Sequence, residues 1–297
     1  MMPIILEGHS KHVNKAQFAP EGKLLYTLGF SGEFLEWSTE SWELQRQLEG
    51  HDQSVNALDF DPDGKTMYTA GTDARLIYWD RESGQPKEII TEYDKGIHQL
   101  KVLPAAGLLA LSTPRLEILL YHIREQRPLQ SFAPRGKRKG LFAIGPEERQ
   151  AAIGEFMGNL LILSLPDLKV KKEIDVSEEP IMGCDFLTDR TVYTIDYNGT
   201  IQIWDLDDEK SRAEVRLDKK DYYFASLAAD RDRLAVSHSH HLRLYQASTL
   251  EAHAVLELPV KGNYGSDFSP DGQFIALGSA DGKARVWTVK EVWNETN

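Results

Sequence analysis

The stretch "LEGHSKHVNKAQFAPEGK", residues 6–23, returns with changes as "LEGHDQSVNALDFDPDGK", residues 48–65, and its close returns again as "DFSPDGQFIALG", residues 267–278. A fixed internal period constrains a fold more than any other feature of a sequence, because each repeat must be one supersecondary unit that buries its apolar face on the next. The apolar residue in the Phe-x-Pro slot recurs as Phe18, Phe60, Val102, Ile144, Phe186, Leu227 and Phe268, spaced by 42 residues four times and then by 41 twice. A second marker, the last large residue of a later apolar run, recurs as Trp37, Trp79, Tyr121, Leu163, Trp204, Tyr245 and Trp287 and keeps the same phase. Two independent markers thus define seven units.

Within a unit the apolar residues alternate with polar ones, which is the period of a strand. In the second unit "VNALDF" reads as a first strand and "DPDGK" as a tight turn, Pro presetting φ and Gly supplying the left-handed position. "KTMYTAG", "RLIYWD" and "PKEII" follow as three more strands. Helical periodicity is absent. Four short antiparallel strands in about 40–45 residues describe a propeller blade, so the chain is predicted to be all-β, one domain over 1–297 with a repeat of 41–42 residues.

Gly-His at 8–9 and 50–51, with Trp-Asp at 79–80 and 204–205, resembles the WD-repeat (β-transducin-like) family. The period carries the resemblance along the whole chain, while the dipeptides fade: "YH" (121–122), "LS" (163–164) and "YQ" (245–246) replace Trp-Asp. The resemblance implies a structural polar network from the loop His to an Asp six residues before the Trp. The second unit alone carries both, as His51 and Asp73 beside Trp79. Asp281 lacks its histidine, and Ser31, Asn198 and Ser239 stand in the Asp position elsewhere. His51, Asp73 and Trp79 are therefore expected to be structural.

Six internal fourth strands fall near 42–48, 86–90, 128–132, 168–174, 212–217 and 252–258, one short of the seven needed. Leu6 of "PIIL" stands in phase with Leu48, so Pro3–Leu6 is predicted to supply the outer strand of the blade ending near Trp287. That closure, usual in the family the chain resembles, gives a seven-bladed ring without an exposed sheet edge. The tail "VKEVWNETN", 289–297, has no structure readable from its residues.

The formal charge of −12, from 34 Lys+Arg against 46 Asp+Glu, disfavours a broad nucleic-acid or anionic-membrane footprint. No apolar run is long enough to span a bilayer, and "MMPIILEGHS" has the wrong flanks for a signal peptide. The single cysteine, Cys184, allows no intrachain disulfide and reads as a small buried hydrophobe. An intracellular, cytoplasmic compartment is expected. No nucleophile motif is present, and "GKRKG" (136–140) lacks the spacing of a phosphate-binding loop. "SHSHH", 237–241, is the one metal-like cluster, with His238 and His240 on one face of an extended segment, but a turn in that place commonly exposes polar residues. Glu178-Glu179 and Asp207-Asp208 read as solvated loop charges. The expectation is no enzyme, no cofactor and no metal site, a channel metal enzyme being a remote alternative.

Function must then lie on the surface. The resemblance implies a loop face around the channel mouth that binds peptide segments of partner proteins. Counting four residues back from each first marker puts Asn14, Asn56, His98, Gly140, Met182, Tyr223 and Tyr264 near that mouth, where they either hold a partner's side chain, with Tyr223 and Tyr264 as the anchors, or pack against neighbouring inner strands. A second candidate is the loop "APRGKRKG", whose Arg135, Lys137, Arg138 and Lys139 suit an acidic or phosphorylated segment, with Lys219 and Lys220 extending the patch. The main reading is a scaffold, a monomeric propeller within a hetero-complex; the alternative is recognition of an anionic ligand, nucleic acid included, through the basic loop.

Overall fold

The computed structural model describes residues 2–91, 93, 96–113, 117–134, 141–217, 223–260 and 262–294. The regular structure among these residues is β-strand, in small antiparallel four-stranded blades of the propeller type, apart from one short helix at Val289–Asn294. The chain falls into two compact units, residues 1–97 with 224–247 and 251–297, and residues 98–223 with 248–250.

In the first unit one sheet has eight strands, in the order Ile4–Glu7, Lys283–Thr288, Phe274–Ser279, Asn263–Phe268, Val13–Phe18, Leu24–Gly29, Phe34–Ser38 and Leu44–Leu48. Each half of it is an antiparallel set of four, and the halves meet at a single parallel bridge, Lys15 with Gly265. A Cβ on Gly265 would lie 2.9 Å from Lys15 Cγ, so the missing side chain is what admits this approach. Two four-stranded sheets accompany it: Val55–Phe60, Thr66–Gly71, Leu76–Asp80 and Pro86–Ile90; and Phe224–Leu227, Arg233–His238, His241–Gln246 and Ala252–Glu257.

The second unit holds three more four-stranded sheets. They are Gln99–Leu103, Leu108–Ser112, Ile118–His122 and Arg127–Phe132; Leu141–Ile144, Gln150–Gly154, Asn159–Ser164 and Val170–Asp175; and Ile181–Thr188, Thr191–Asp196, Thr200–Asp205 and Lys210–Arg216. Among the described residues, therefore, five four-stranded sheets stand separately where seven were expected, the other eight strands being joined into one.

The repeated phrase makes a repeated turn. Gly22, Gly64 and Gly272 have φ of 73°, 67° and 68°, and each donates its N–H to the residue three before it, Ala19, Asp61 and Ser269. Burial follows a strand's place in its blade: third-strand residues such as Leu76, Ile77, Tyr78 and Trp79 are all buried, both faces being covered, whereas outer strands such as Arg127–Phe132 keep most side chains in solvent. Trp79 packs edge-on against Phe34 of the preceding repeat at 5.5 Å, in a cluster that also holds Tyr26 and Phe60. Such sheet-to-sheet contacts carry the apolar stabilisation that one blade cannot provide alone.

At the N-terminus Ile4–Glu7 pairs antiparallel with Lys283–Thr288, Leu6 lying opposite Ala284. Leu6 is 1% exposed and shares a core cluster with Leu35, Trp37 and Val286. Residues 289–294 of the C-terminal segment, whose structure could not be read from its residues, form the six-residue helix. Its Val292 is buried beside Leu258, and Trp293 stacks on His253 at 4.1 Å and 18°.

Candidate interaction surface

The residues singled out for the channel mouth separate in the structure. Asn14 and Asn56 are half-buried and spend their amides between repeats: Asn14 Nδ2 donates to Val55 O at 2.9 Å and to Asn56 Oδ1 at 3.2 Å, and Asn56 Nδ2 donates to Ile97 O at 2.8 Å. The same residue in the same slot performs the same inter-strand bridge. His98 and Met182 are half-buried members of the second unit. Tyr223 takes the packing alternative: it is 3% exposed, its ring filling the space over the Gly199 turn. The basic-loop residues Arg135, Lys137, Arg138 and Lys139, like Gly140, Lys219 and Lys220, lie outside the described residues.

Tyr264 alone among the expected anchors leads to an open aromatic surface. Its ring lies 5.4 Å from Phe30, 5.9 Å from Phe224 and 6.0 Å from His12, and its hydroxyl is 3.3 Å from His12 Nδ1. His12 also meets Phe30 edge-on at 5.3 Å. Phe30 is 40% exposed and Phe224 36%. The backbone beneath is tied down. Phe30 N donates to His12 O, the buried Ser237 hydroxyl reaches Tyr264 O at 2.9 Å, and Asp267 accepts from Phe18 N across to the next inner strand. Partial burial raises the Tyr264 phenol above its ordinary pKa. A contiguous exposed patch of rings on a rigid floor marks a place for contact with another molecule.

Sequence reasoning missed Phe30, Phe224 and His12. One signal was available: Phe30 is a large apolar side chain in a turn slot that holds Thr72 and Ala280 in the second and seventh units.

Polar networks join side chains within three of the repeats. In the second repeat His51 Nδ1 lies 2.9 Å from Asp73 Oδ2, His51 Nε2 lies 2.7 Å from Thr69 Oγ1, and Trp79 Nε1 donates to that same hydroxyl at 2.8 Å. Every proton is used if Trp79 donates to Thr69, Thr69 to His51 and His51 to Asp73. Burial alone would raise the Asp73 carboxyl, but its bonds to His51 and to the Arg75 and Asp52 N–H groups outweigh that and hold it low. The first repeat builds nearly the same set from a residue the motif did not reveal. His9 bonds Thr27 at 2.6 Å, Trp37 donates to Thr27 at 2.9 Å, and Glu33 rather than Ser31 brings the carboxylate, 3.6 Å from His9 Nδ1. In the seventh, Arg285 replaces the histidine and grips Asp281 through two bonds of 3.1 and 2.6 Å.

These networks carry a pH signature. Burial depresses the His9 imidazole below its ordinary 6.5, with Glu33 opposing only in part. The unfolded chain therefore takes up this proton first. His9's share of stability is whole above about pH 6.5 and declines as pH falls through its lower native value. Urea unfolding at about pH 5 and 8 is expected to lose part of its pH dependence in His9→Gln; an unchanged dependence would refute this assignment.

The residues weighed for chemistry in the sequence take the following places in the structure. Cys184 is buried, and burial, reinforced by the Asp185 charge, pushes its thiol up to about 12. His238 does not share a face with His240. It is buried and stacked 5.4 Å from His241 across a two-residue turn, whereas His240 is exposed. Among the described residues no three His, Cys, Asp or Glu side chains form a metal-binding group. Asp207 and Asp208 donate their backbone N–H groups to Asp205 in an ordinary turn. No helix among these residues is long and apolar enough to cross a membrane.

Two stretches of the chain, residues 42–80 and 244–288, match the WD domain, G-beta repeat family. They contain Trp79 and Trp287, two of the phase markers of the repeat. Comparison with curated proteins gives no significant match.

Proposed function

The chain belongs to the WD-repeat family, and from that premise we propose that it is a non-enzymatic interaction platform, holding peptide segments of partner proteins on the face that carries His12, Phe30, Phe224 and Tyr264. WD-repeat propellers generally bind other proteins and generally lack catalytic activity. The observation that supports the reading is the cluster of aromatic rings, with Phe30, Phe224 and His12 exposed and Tyr264 half-buried between them, the residue type on which interface energy concentrates. The full architecture we propose is a seven-bladed ring, the eight-stranded sheet counting as two blades and the N-terminal strand closing the last. The seven-fold phase of the sequence and the pairing of Ile4–Glu7 with Lys283–Thr288 support it. In this reading the protein is a single propeller within a cytoplasmic hetero-complex.

A second reading rests on the four cations Arg135, Lys137, Arg138 and Lys139, which would grip an acidic or phosphorylated segment or a nucleic acid. Affinity purification from the native host, followed by binding kinetics with the purified co-eluting protein, separates the two. Under the platform reading a stoichiometric protein partner is recovered. It binds the Lys137→Glu/Arg138→Glu/Lys139→Glu variant at the parent's rate, at low and high salt alike. Slower association with flattened salt dependence transfers the site to the basic loop. Recovery of no protein partner overturns the platform.

A further inference from the structure

Beside the aromatic row lies a cavity of about 410 Å³ whose lining includes Lys11, His12, Phe30 and Asp281. Its charges are unequal in their engagements. Asp281 is held by both terminal nitrogens of Arg285, Glu33 is taken by the backbone N–H and hydroxyl of Ser10 next to His9, and Glu7 pairs with Lys283. Lys11 is exposed and, among the described residues, makes neither hydrogen bond nor ion pair. The carboxylates around the cavity are thus neutralised within the protein, and Lys11 is the charge left over. Phe30, Tyr264 and Phe224 follow one another at 5.4 and 5.9 Å, a row of roughly 11 Å at most, which about three residues of extended chain would cover.

We propose that this surface binds an extended peptide segment in which an aromatic or large aliphatic side chain lies within a few residues of a carboxylate, the apolar side chain resting on Phe30, Tyr264 and Phe224 and the carboxylate pairing with Lys11. The proposal rests on the platform reading and specifies its ligand. A cationic side chain would also suit the rings, but Lys11 repels it and Asp281 is already spent on Arg285. A phosphate backbone finds one free lysine here on a protein of charge −12, too few contacts to hold it.

The test is selection of a random linear-peptide phage library on the immobilised protein, followed by affinity measurements on synthetic copies of the enriched peptides. The variants are Lys11→Glu and Phe30→Ala/Phe224→Ala, both at exposed positions, with melting temperature as the check on folding. The expected peptides combine a large apolar residue with Asp or Glu and lose about tenfold or more in affinity to either variant. Replacing their acidic residue by Lys should abolish binding to the parent and restore it on Lys11→Glu. Enriched peptides indifferent to both variants overturn this site and leave the platform standing. Failure to enrich any peptide overturns the platform reading itself. A fluorescent oligouridylate serves as counter-probe, and its binding to the parent but not to Lys11→Glu assigns the surface to nucleic acid and overturns the proposal.

Discussion

Removal of residues 1–7 will lower the melting temperature by roughly 10 °C or more and leave a protein prone to self-association. The deletion strips the paired strand Ile4–Glu7 from Lys283–Thr288, so the backbone groups of Val286, Arg285 and Ala284 that it satisfied become an open edge. It also empties the site of Leu6, a fully buried side chain packed with Leu35 and Trp37, whose truncation to Ala alone should cost about 2–5 kcal/mol. Differential scanning calorimetry of the truncated and Leu6→Ala chains measures both effects. An unchanged melting curve for the truncated chain would rule out closure by the N-terminal strand.

His51→Ala will destabilise the protein by about 3 kcal/mol, the largest effect expected of any single polar substitution. The imidazole joins Asp73, whose side chain is 2% exposed, to Thr69, which is fully buried. Without it a carboxylate and a hydroxyl both lose a partner out of reach of bulk water, at about 1–3 kcal/mol each. Asp73 would also lose the main interaction that offsets its burial. Its depressed native pKa, whose benefit is complete above about pH 3.8 and lost on acidification through the lower native value, would then move upward. His240→Ala is the matched control, since His240 is exposed and its backbone carbonyl still accepts from Leu258. Equal denaturation midpoints for the two variants would refute the network's role.

The strands were legible in the sequence because an alternating pattern must put one face inward wherever a sheet packs on a sheet. The outer strands Leu44–Leu48 and Pro86–Ile90 fall where their phase put them. Side chains that answer to neighbours from another repeat were less legible. Counting from the marker singled out Tyr223 and Tyr264 alike and could not tell that the Gly199 turn buries one while the other opens beside Phe30. The substitute carboxylate Glu33 stands two residues past the motif position, within reach of His9 only because of how its turn is built. Arg285 likewise takes the place of a histidine from a different strand, a replacement invisible to a motif written in one register. Joining of two strand sets through Lys15 and Gly265 had no signal in the repeat, since it depends on one absent side chain.

Hydrogen–deuterium exchange of the protein with and without its purified native partner tests the central claim most directly. Binding on the aromatic surface predicts slowed exchange in the segments carrying Lys11 and His12, Phe30, Phe224 and Tyr264, the neighbouring rings of one patch. Protection confined to residues 133–140, or to outer strands such as Arg127–Phe132, with those segments exchanging as in the free protein, would contradict it.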